Sequence, residues 1–246
     1  MNDFEFIHLE ETSSTNSYLK DLSRVKKLPQ GFGVYSDYQT QGRGQKGSFW
    51  ESDNGKNLLF SVILFPEKLE ANRQFILSQI ISLAVKDVLD EEHSGFSVKW
   101  PNDVYYENKK ITGILIENDI IDSFISQSVI GVGINLNQEI FESDAPNPVS
   151  LKQITGRSYD IEDIFRKILV RLKYYFNLLE DKNSAERIRA EYQNSLFHKD
   201  GFYMYKEENQ VFMAEILDVE ESGMLVLRKE SGDIQKYFFK QIQFVL

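Results

Sequence analysis

The chain of 246 residues has no cysteine, which excludes disulfides and thiol chemistry. Histidine is also scarce. His8, His93 and His198 stand far apart, no His/Asp/Glu cluster has zinc spacing, and no Ser–His–acid set emerges, so each reads as structural or exposed. No apolar run is long enough to cross a bilayer, and the longest candidates, such as Leu58–Phe65, have the length of a strand. The opening MNDFEFIHLEE is acidic and lacks the basic-then-apolar layout of an export signal, so a cytoplasmic location and no membrane partner are expected. Positive charge is in deficit: 28 Lys and Arg face 38 Asp and Glu, a net charge of -10. Non-specific affinity for nucleic acid comes mainly from neutralising phosphates, so this balance argues against DNA or RNA as a partner. Any anion site must be local, built from a few cations on an acidic background.

What is present is ordinary for a soluble globular protein, with 41% hydrophobic and 27% charged residues. Strands are expected at Phe4–Glu10, Gly33–Tyr38, Asn57–Phe65, Phe96–Trp100, Val104–Tyr106, Ile111–Asn118 and Phe124–Ile134. Helical spacing predicts helices over Ser17–Lys27, Arg73–Glu91, Ile161–Leu179 and Ser184–Ser195, the first of them capped by Ser13, Ser14 or Thr15. Glu107-Asn108-Lys109 reads as a hairpin turn and Asn135–Pro148 as a loop. From Gly201 the texture becomes short strands between turns: Phe202–Lys206, Val211–Leu217, Met224–Arg228 and Ile234–Phe239. The expectation is an α+β fold with a mixed, mainly antiparallel sheet in residues 1–198, and a small, partly open β-barrel in 199–246.

Four stretches carry candidate chemistry. Gly42, Gly44 and Gly47 have the G-x-G-x-x-G spacing of a dinucleotide fingerprint, with Arg43 and Lys46 among them. A fingerprint of that kind must open a helix, and here a turn-rich segment and a strand follow, so the reading fails. A loop whose backbone N–H groups wrap an anion remains, against a plain surface loop. Next, Lys99-Trp100-Pro101-Asn102-Asp103 places a carboxylate and an amide on a turn. They are candidate oxygen ligands for Mg²⁺, or simply an Asx-turn. Third, Lys110 stands before an apolar strand that contains Gly113, where a lysine can reach a phosphate as a point charge. Last, Gly131 and Gly133 alternate in a strand and leave one face bare, for a flat ligand or for close packing.

Together these stretches resemble the biotin–protein ligases. The resemblance rests on Glu11-Thr-Ser-Ser-Thr-Asn16, Gln41-Gly-Arg-Gly-Gln-Lys-Gly47 with Trp50, Lys99-Trp-Pro-Asn-Asp103, Lys110-Ile-Thr-Gly-Ile-Leu115 and Gly131-Val-Gly-Ile-Asn135. It covers about residues 4–196 and extends to the C-terminal unit. It implies a class II synthetase-like core with an SH3-like C-terminal barrel. The implied chemistry is ATP-dependent activation of biotin to biotinyl-5′-adenylate, then transfer to a lysine of a biotin carboxyl carrier protein.

By the same resemblance Lys110, Arg43 and Asp103 are the catalytic positions. Ser14, Thr15, Asn16, Gln39, Gly42, Arg43, Lys110, Gly113 and Gly131 would hold biotin. Arg43, Gln45, Lys46, Trp50, Asn102, Lys110 and Asn135 would hold ATP and the adenylate, with Asp103 on Mg²⁺. Gln45 stands where many members have a second arginine, which removes one charge from the loop. The DNA-binding domain of some bacterial members is not expected, nor their repressor role. Homodimers formed by sheet extension occur in the family, and the sequence leaves the oligomeric state open. A lipoate or octanoate ligase or transferase, and a non-catalytic biotin-binding regulator, remain as alternatives.

Overall fold

The computed structural model describes residues 5–44, 49–142, 147–179 and 184–246. Strands β1 (Phe6–Thr12), β2 (Gly33–Gln39), β3 (Leu58–Leu64), β4 (Phe96–Lys99), β5 (Asp103–Tyr106), β6 (Lys109–Ile121) and β7 (Phe124–Ile134) form one seven-stranded sheet. Its order is β1-β2-β3-β7-β6-β5-β4, with β1 and β2 parallel and every other pair antiparallel. The parallel pair requires a crossover, and α1 (Thr15–Val25) supplies it.

Helices α2 (Phe75–Glu92), α4 (Ile161–Leu178) and α5 (Ser184–Asn194) cover one face of the sheet. Side chains alternate along a strand, so Leu58, Phe60, Val62 and Leu64 of β3 and Ile130, Val132 and Ile134 of β7 share that large core. Phe165 of α4 packs its ring among Tyr35 and Phe60, with centroids 5.2 and 5.1 Å away. Burial of such a side chain contributes about 1.5–3 kcal/mol. On the opposite face α1 covers a smaller cluster of Leu19, Val34, Ile63 and Val129, and beside it the sheet is left open as a cleft.

A second sheet, β11-β10-β9-β8-β12, is antiparallel throughout: β8 (Tyr203–Glu207), β9 (Gln210–Val219), β10 (Leu225–Lys229), β11 (Ile234–Tyr237) and β12 (Gln243–Phe244). It is tied to the first. Trp100 Nε1 donates to the Gly223 carbonyl at 2.9 Å, and Phe75 fills the space over Gly223. The 195–197 segment also covers the exposed edge of β4, with Val98 N donating to Ser195 O at 2.7 Å and Phe197 N to Val98 O at 2.8 Å.

Several expected boundaries move. Helix α1 begins at Thr15 rather than Ser17, so one of the three expected caps, Thr15, enters the first turn; Ser14, another of them, is the N-cap but makes no side-chain cap bond. Strand β6 starts at Lys109 and runs to Ile121 because the hairpin keeps pairing beyond its apolar part, past an irregularity at Asp119/Ile120. Helix α3 (Leu151–Thr155) was not expected, although Ser150 and Gln153 form a capping box and Gly156 closes the end at φ +75°. The two-residue β12 was likewise not expected.

Candidate active site

The cleft has a volume of about 710 Å³ and lies between the open face of the first sheet and the end of the chain, from Phe239 to Leu246. That is within the range of small-molecule sites, about 300–1,000 Å³. Its two ends differ in chemistry.

One end is neutral and polar. Ser14, Thr15 and Asn16 are all buried at the start of α1. Thr15 N and Oγ1 both donate to Gln39 Oε1, at 2.7 and 3.0 Å. Ser61, in the middle of the apolar β3, directs its hydroxyl at Thr15 Oγ1 (2.7 Å) and Asn16 Oδ1 (2.6 Å). Asn16 Nδ2 donates to Glu117 Oε2 at 2.8 Å. Gly131 makes this arrangement possible, since a Cβ there would lie 2.9 Å from Asn16 Cγ. The side chains of Thr15, Asn16 and Ser61 are thus oriented by one another and by Gln39 and Glu117.

The other end carries cations. Lys110 Nζ meets Asp103 Oδ1 at 2.8 Å, joining two motifs that lie side by side on β5 and β6. Asn102 Nδ2 donates to Ile114 O at 2.5 Å, which pins the turn that presents Asp103. Lys99 lines the same wall, its ammonium 5.1 and 4.9 Å from the ring centres of Tyr105 and Phe244. Burial lowers the Lys99 pKa, and the Lys110 charge adds to this while Asp103 opposes it. Burial, aided by the Asp103 charge, raises the Tyr105 pKa far above the ordinary phenol value, so Tyr105 stays neutral.

Arg43 lines the cleft and donates to Ser17 Oγ at 2.9 Å, with Glu117 at 3.6 Å. The two described limbs of the loop that carries it pair with each other: Arg43 bridges Phe49, and Trp50 N donates to Gly42 O at 3.1 Å. At Gly42 a Cβ would lie 2.7 Å from the Trp50 carbonyl, so this glycine serves an approach of chain to chain rather than wrapping of an anion. Downstream, Gln138 Oε1 accepts from Asn57 Nδ2 (2.6 Å) and Asp53 N (2.9 Å) and anchors the outgoing limb.

The structure therefore brings Ser14, Thr15, Asn16, Gln39, Arg43, Trp50, Asn102, Asp103, Lys110, Gly113 and Gly131 to one cleft. Gly42 packs against the Trp50 carbonyl and does not line the cleft. Asn135, expected on the nucleotide side, is buried and donates from Nδ2 to Val149 O at 3.2 Å. Gln45, Lys46 and Gly47 lie outside the described residues.

Ser61, Glu117 and Lys99 were missed as site residues. A lone serine inside Leu-Leu-Phe-Ser-Val-Ile-Leu was the available signal for Ser61, because a buried polar residue needs a partner. Among the described residues magnesium finds no protein cage. Asp103 is already paired to Lys110, and no group of three His, Cys, Asp or Glu that could hold a metal exists among the described residues.

The profile of the Biotin/lipoate A/B protein ligase family matches residues 9–135. The chain belongs to this family. Within the family it is similar to the bifunctional ligase/repressor BirA of Bacillus subtilis, 28% identical over 246 residues, covering 96% of this chain and 73% of that protein. It is 30% identical over 164 residues to the biotin–[acetyl-CoA-carboxylase] ligase of Paracoccus denitrificans, covering 63% and 66% of the two chains. Among solved structures, the Aquifex aeolicus biotin protein ligase in complex with biotin and ATP superposes with a TM-score of 0.80 at 27% identity, covering 98% of this chain and 99% of that one. Among the described residues, no helix is long and apolar enough to cross a membrane.

Proposed function

We propose that this chain is a biotin–protein ligase. It activates biotin with ATP to biotinyl-5′-adenylate and transfers biotin to a lysine of a biotin carboxyl carrier protein. One observation carries the reading: a neutral hydroxyl–amide cluster (Thr15, Asn16, Gln39), backed by the buried Ser61, and two lysines (Lys99, Lys110) face one cleft, with Arg43 lining it beside Ser17 and Glu117. The biotin ureido group is neutral and both donates and accepts, so it matches the first cluster. A triphosphate matches the second.

In the first step a biotin carboxylate oxygen bonds to the α-phosphorus, the bond to the β-phosphate oxygen breaks, and pyrophosphate leaves. Arg43 and Lys110 face the charge that accumulates on the phosphoryl oxygens. Magnesium, carried in on the triphosphate, would offset that charge with Asp103 as the nearest carboxylate. In the second step the carrier lysine, as the free amine, attacks the acyl carbon. AMP leaves and the nitrogen loses a proton. The catalytic unit is read as residues 1–198 and the small β unit as 199–246, with the tail of the latter lining the cleft.

The test is pyrophosphate–ATP exchange with biotin, lipoate or octanoate, followed by transfer to a carrier domain. Exchange that depends on biotin, with loss of transfer when the carrier lysine is replaced, is the expected result. Exchange with lipoate alone would place the chain with the lipoate ligases, and no exchange at all would favour a non-catalytic binding protein. The hydroxyl–amide cluster favours biotin, because an apolar dithiolane ring offers it no partners.

A further inference from the structure

Gly113 and Gly133 are direct cross-strand partners on β6 and β7. Opposed glycines remove two adjacent side chains from one face of the sheet and leave a bare strip one ring wide. The Trp50 indole fills that strip. A Cβ on Gly113 would lie 2.8 Å from Trp50 Cζ3, on the benzene half. A Cβ on Gly133 would lie 2.6 Å from Trp50 Nε1, on the pyrrole half. The indole therefore lies on both glycines at once, with the Lys110 ammonium 5.8 Å from the ring centre. Trp50 Nε1 is buried and has no hydrogen-bond partner, so what holds the ring is packing on the glycines rather than a polar contact.

We propose that Gly113 and Gly133 form a seat for Trp50, and that through Trp50 they position the nucleotide half of the site. Gly131, two residues from Gly133 on the same strand face, does the equivalent for Asn16 and thus for the biotin half. This inference rests on the biotin-and-ATP reading of the cleft. It departs from the expectation that Gly113 holds biotin, and at Gly133 it takes the close-packing reading over the flat-ligand one: at both glycines the space is taken by a side chain of the protein itself. Both glycines are positioning residues, acting on the ligand only through the indole.

The test uses Gly133→Ala and Gly113→Ala in the full chain. Trp100, the other tryptophan, is 3% exposed and so shielded, which assigns any gain in acrylamide quenching of fluorescence to Trp50. Either substitution should expose Trp50 to acrylamide and raise the KM for ATP by about tenfold, the equivalent of roughly 1.4 kcal/mol, with the KM for biotin nearly unchanged. Gly131→Ala should show the reverse split.

In a Trp50→Ala background, Gly133→Ala should add nothing to the ATP effect, since there is no ring left to unseat. Unchanged quenching in both glycine variants, a rise in the biotin KM alone, or full additivity with Trp50→Ala would each overturn the proposal. Should the wild type show no biotin-dependent exchange, the functional reading fails, and the quenching result still decides whether the seat exists.

Discussion

Ser61→Ala isolates the part of the cleft that the hydroxyl–amide cluster builds. Ser61 is fully buried, and its single hydroxyl proton faces two acceptors, Thr15 Oγ1 at 2.7 Å and Asn16 Oδ1 at 2.6 Å. The proton of Thr15 has another acceptor in Gln39, and both hydrogens of the Asn16 amide point away toward Glu117 and the Leu115 carbonyl. Nothing nearby replaces the lost donor.

Removing one oxygen leaves little cavity, so the cost is that of an unsatisfied buried acceptor, about 1–3 kcal/mol. With a urea dependence of roughly 2–3 kcal/mol/M, the unfolding midpoint should fall by about 0.3–1.5 M. The functional cost should be selective. Thr15 and Asn16 lose the group that fixes their rotamers, and each 1.4 kcal/mol of lost preorganisation is about tenfold in affinity. The KM for biotin should therefore rise by about tenfold while that for ATP stays level. Urea unfolding followed by tryptophan fluorescence, with exchange kinetics in both substrates, checks the two halves. A midpoint within 0.1 M (about 0.3 kcal/mol) of wild type together with an unchanged biotin KM would refute the reasoning, since a buried donor shared by two acceptors cannot be lost at no cost.

Three further outcomes follow from single interactions. Asp103→Asn removes the charge paired with Lys110; a hydrogen bond to a charged group contributes about 1.5–3 kcal/mol, so exchange should slow roughly 10- to 150-fold, and a rate within twofold of wild type would count against a role for the pair. Gln138→Ala strips the acceptor from Asn57 Nδ2 and Asp53 N, so the 49–56 limb should be cut by protease well before the rest of the chain; equal cutting rates would contradict the anchoring role. Burial, with the Lys99 charge second, pushes the His198 imidazole down to about 4 from its ordinary 6.5. Between these values the unfolded state binds more protons than the folded one, so stability is fully present above pH 6.5 and declines as pH falls toward 4. His198→Asn, which tolerates the φ of +58° at this position, should lose less stability than wild type between pH 7 and pH 5 by urea midpoint, and parallel losses would argue against a neutral half-buried ring.

The elements that sequence reading located well are those whose pattern and punctuation agree. Strand β7 spans Phe124–Ile134 as expected: an apolar run with alternating glycines, preceded by Asp122 and Ser123, which turn the chain at φ of +47° and +71°. The misplaced edges lie where function or tertiary pairing overrides local preference. Thr15 and Asn16 belong to α1, but their side chains are spent on the cleft, so the segment reads as a polar cap cluster. Helix α3 went unnoticed because a five-residue helix carries too little apolar periodicity to register, even with both caps present. In the site, the residue types were legible and the pairings were not. Asn16 and Glu117 bond across 101 positions, and nothing local to either encodes it.

The seat and the hydroxyl–amide cluster share a single structural requirement. Gly131 and Gly133 are two residues apart on one face of β7, so the Asn16 and Trp50 positions are separated by about 7 Å along the strand. The residues that alternate with them, Ile130, Val132 and Ile134, all point into the core. A slip of one residue in β7 would therefore fill the cleft with branched side chains and place bare backbone in the core at the same time. The pairing of Gly113 with Gly133, and of Leu115 with Gly131, excludes that slip only while both strands keep the same alternation. It follows that the core packing of Ile130, Val132 and Ile134 is also what fixes where Asn16 and Trp50 stand. Substitutions that loosen this core should degrade both halves of the site together, whereas those at the glycines separate them.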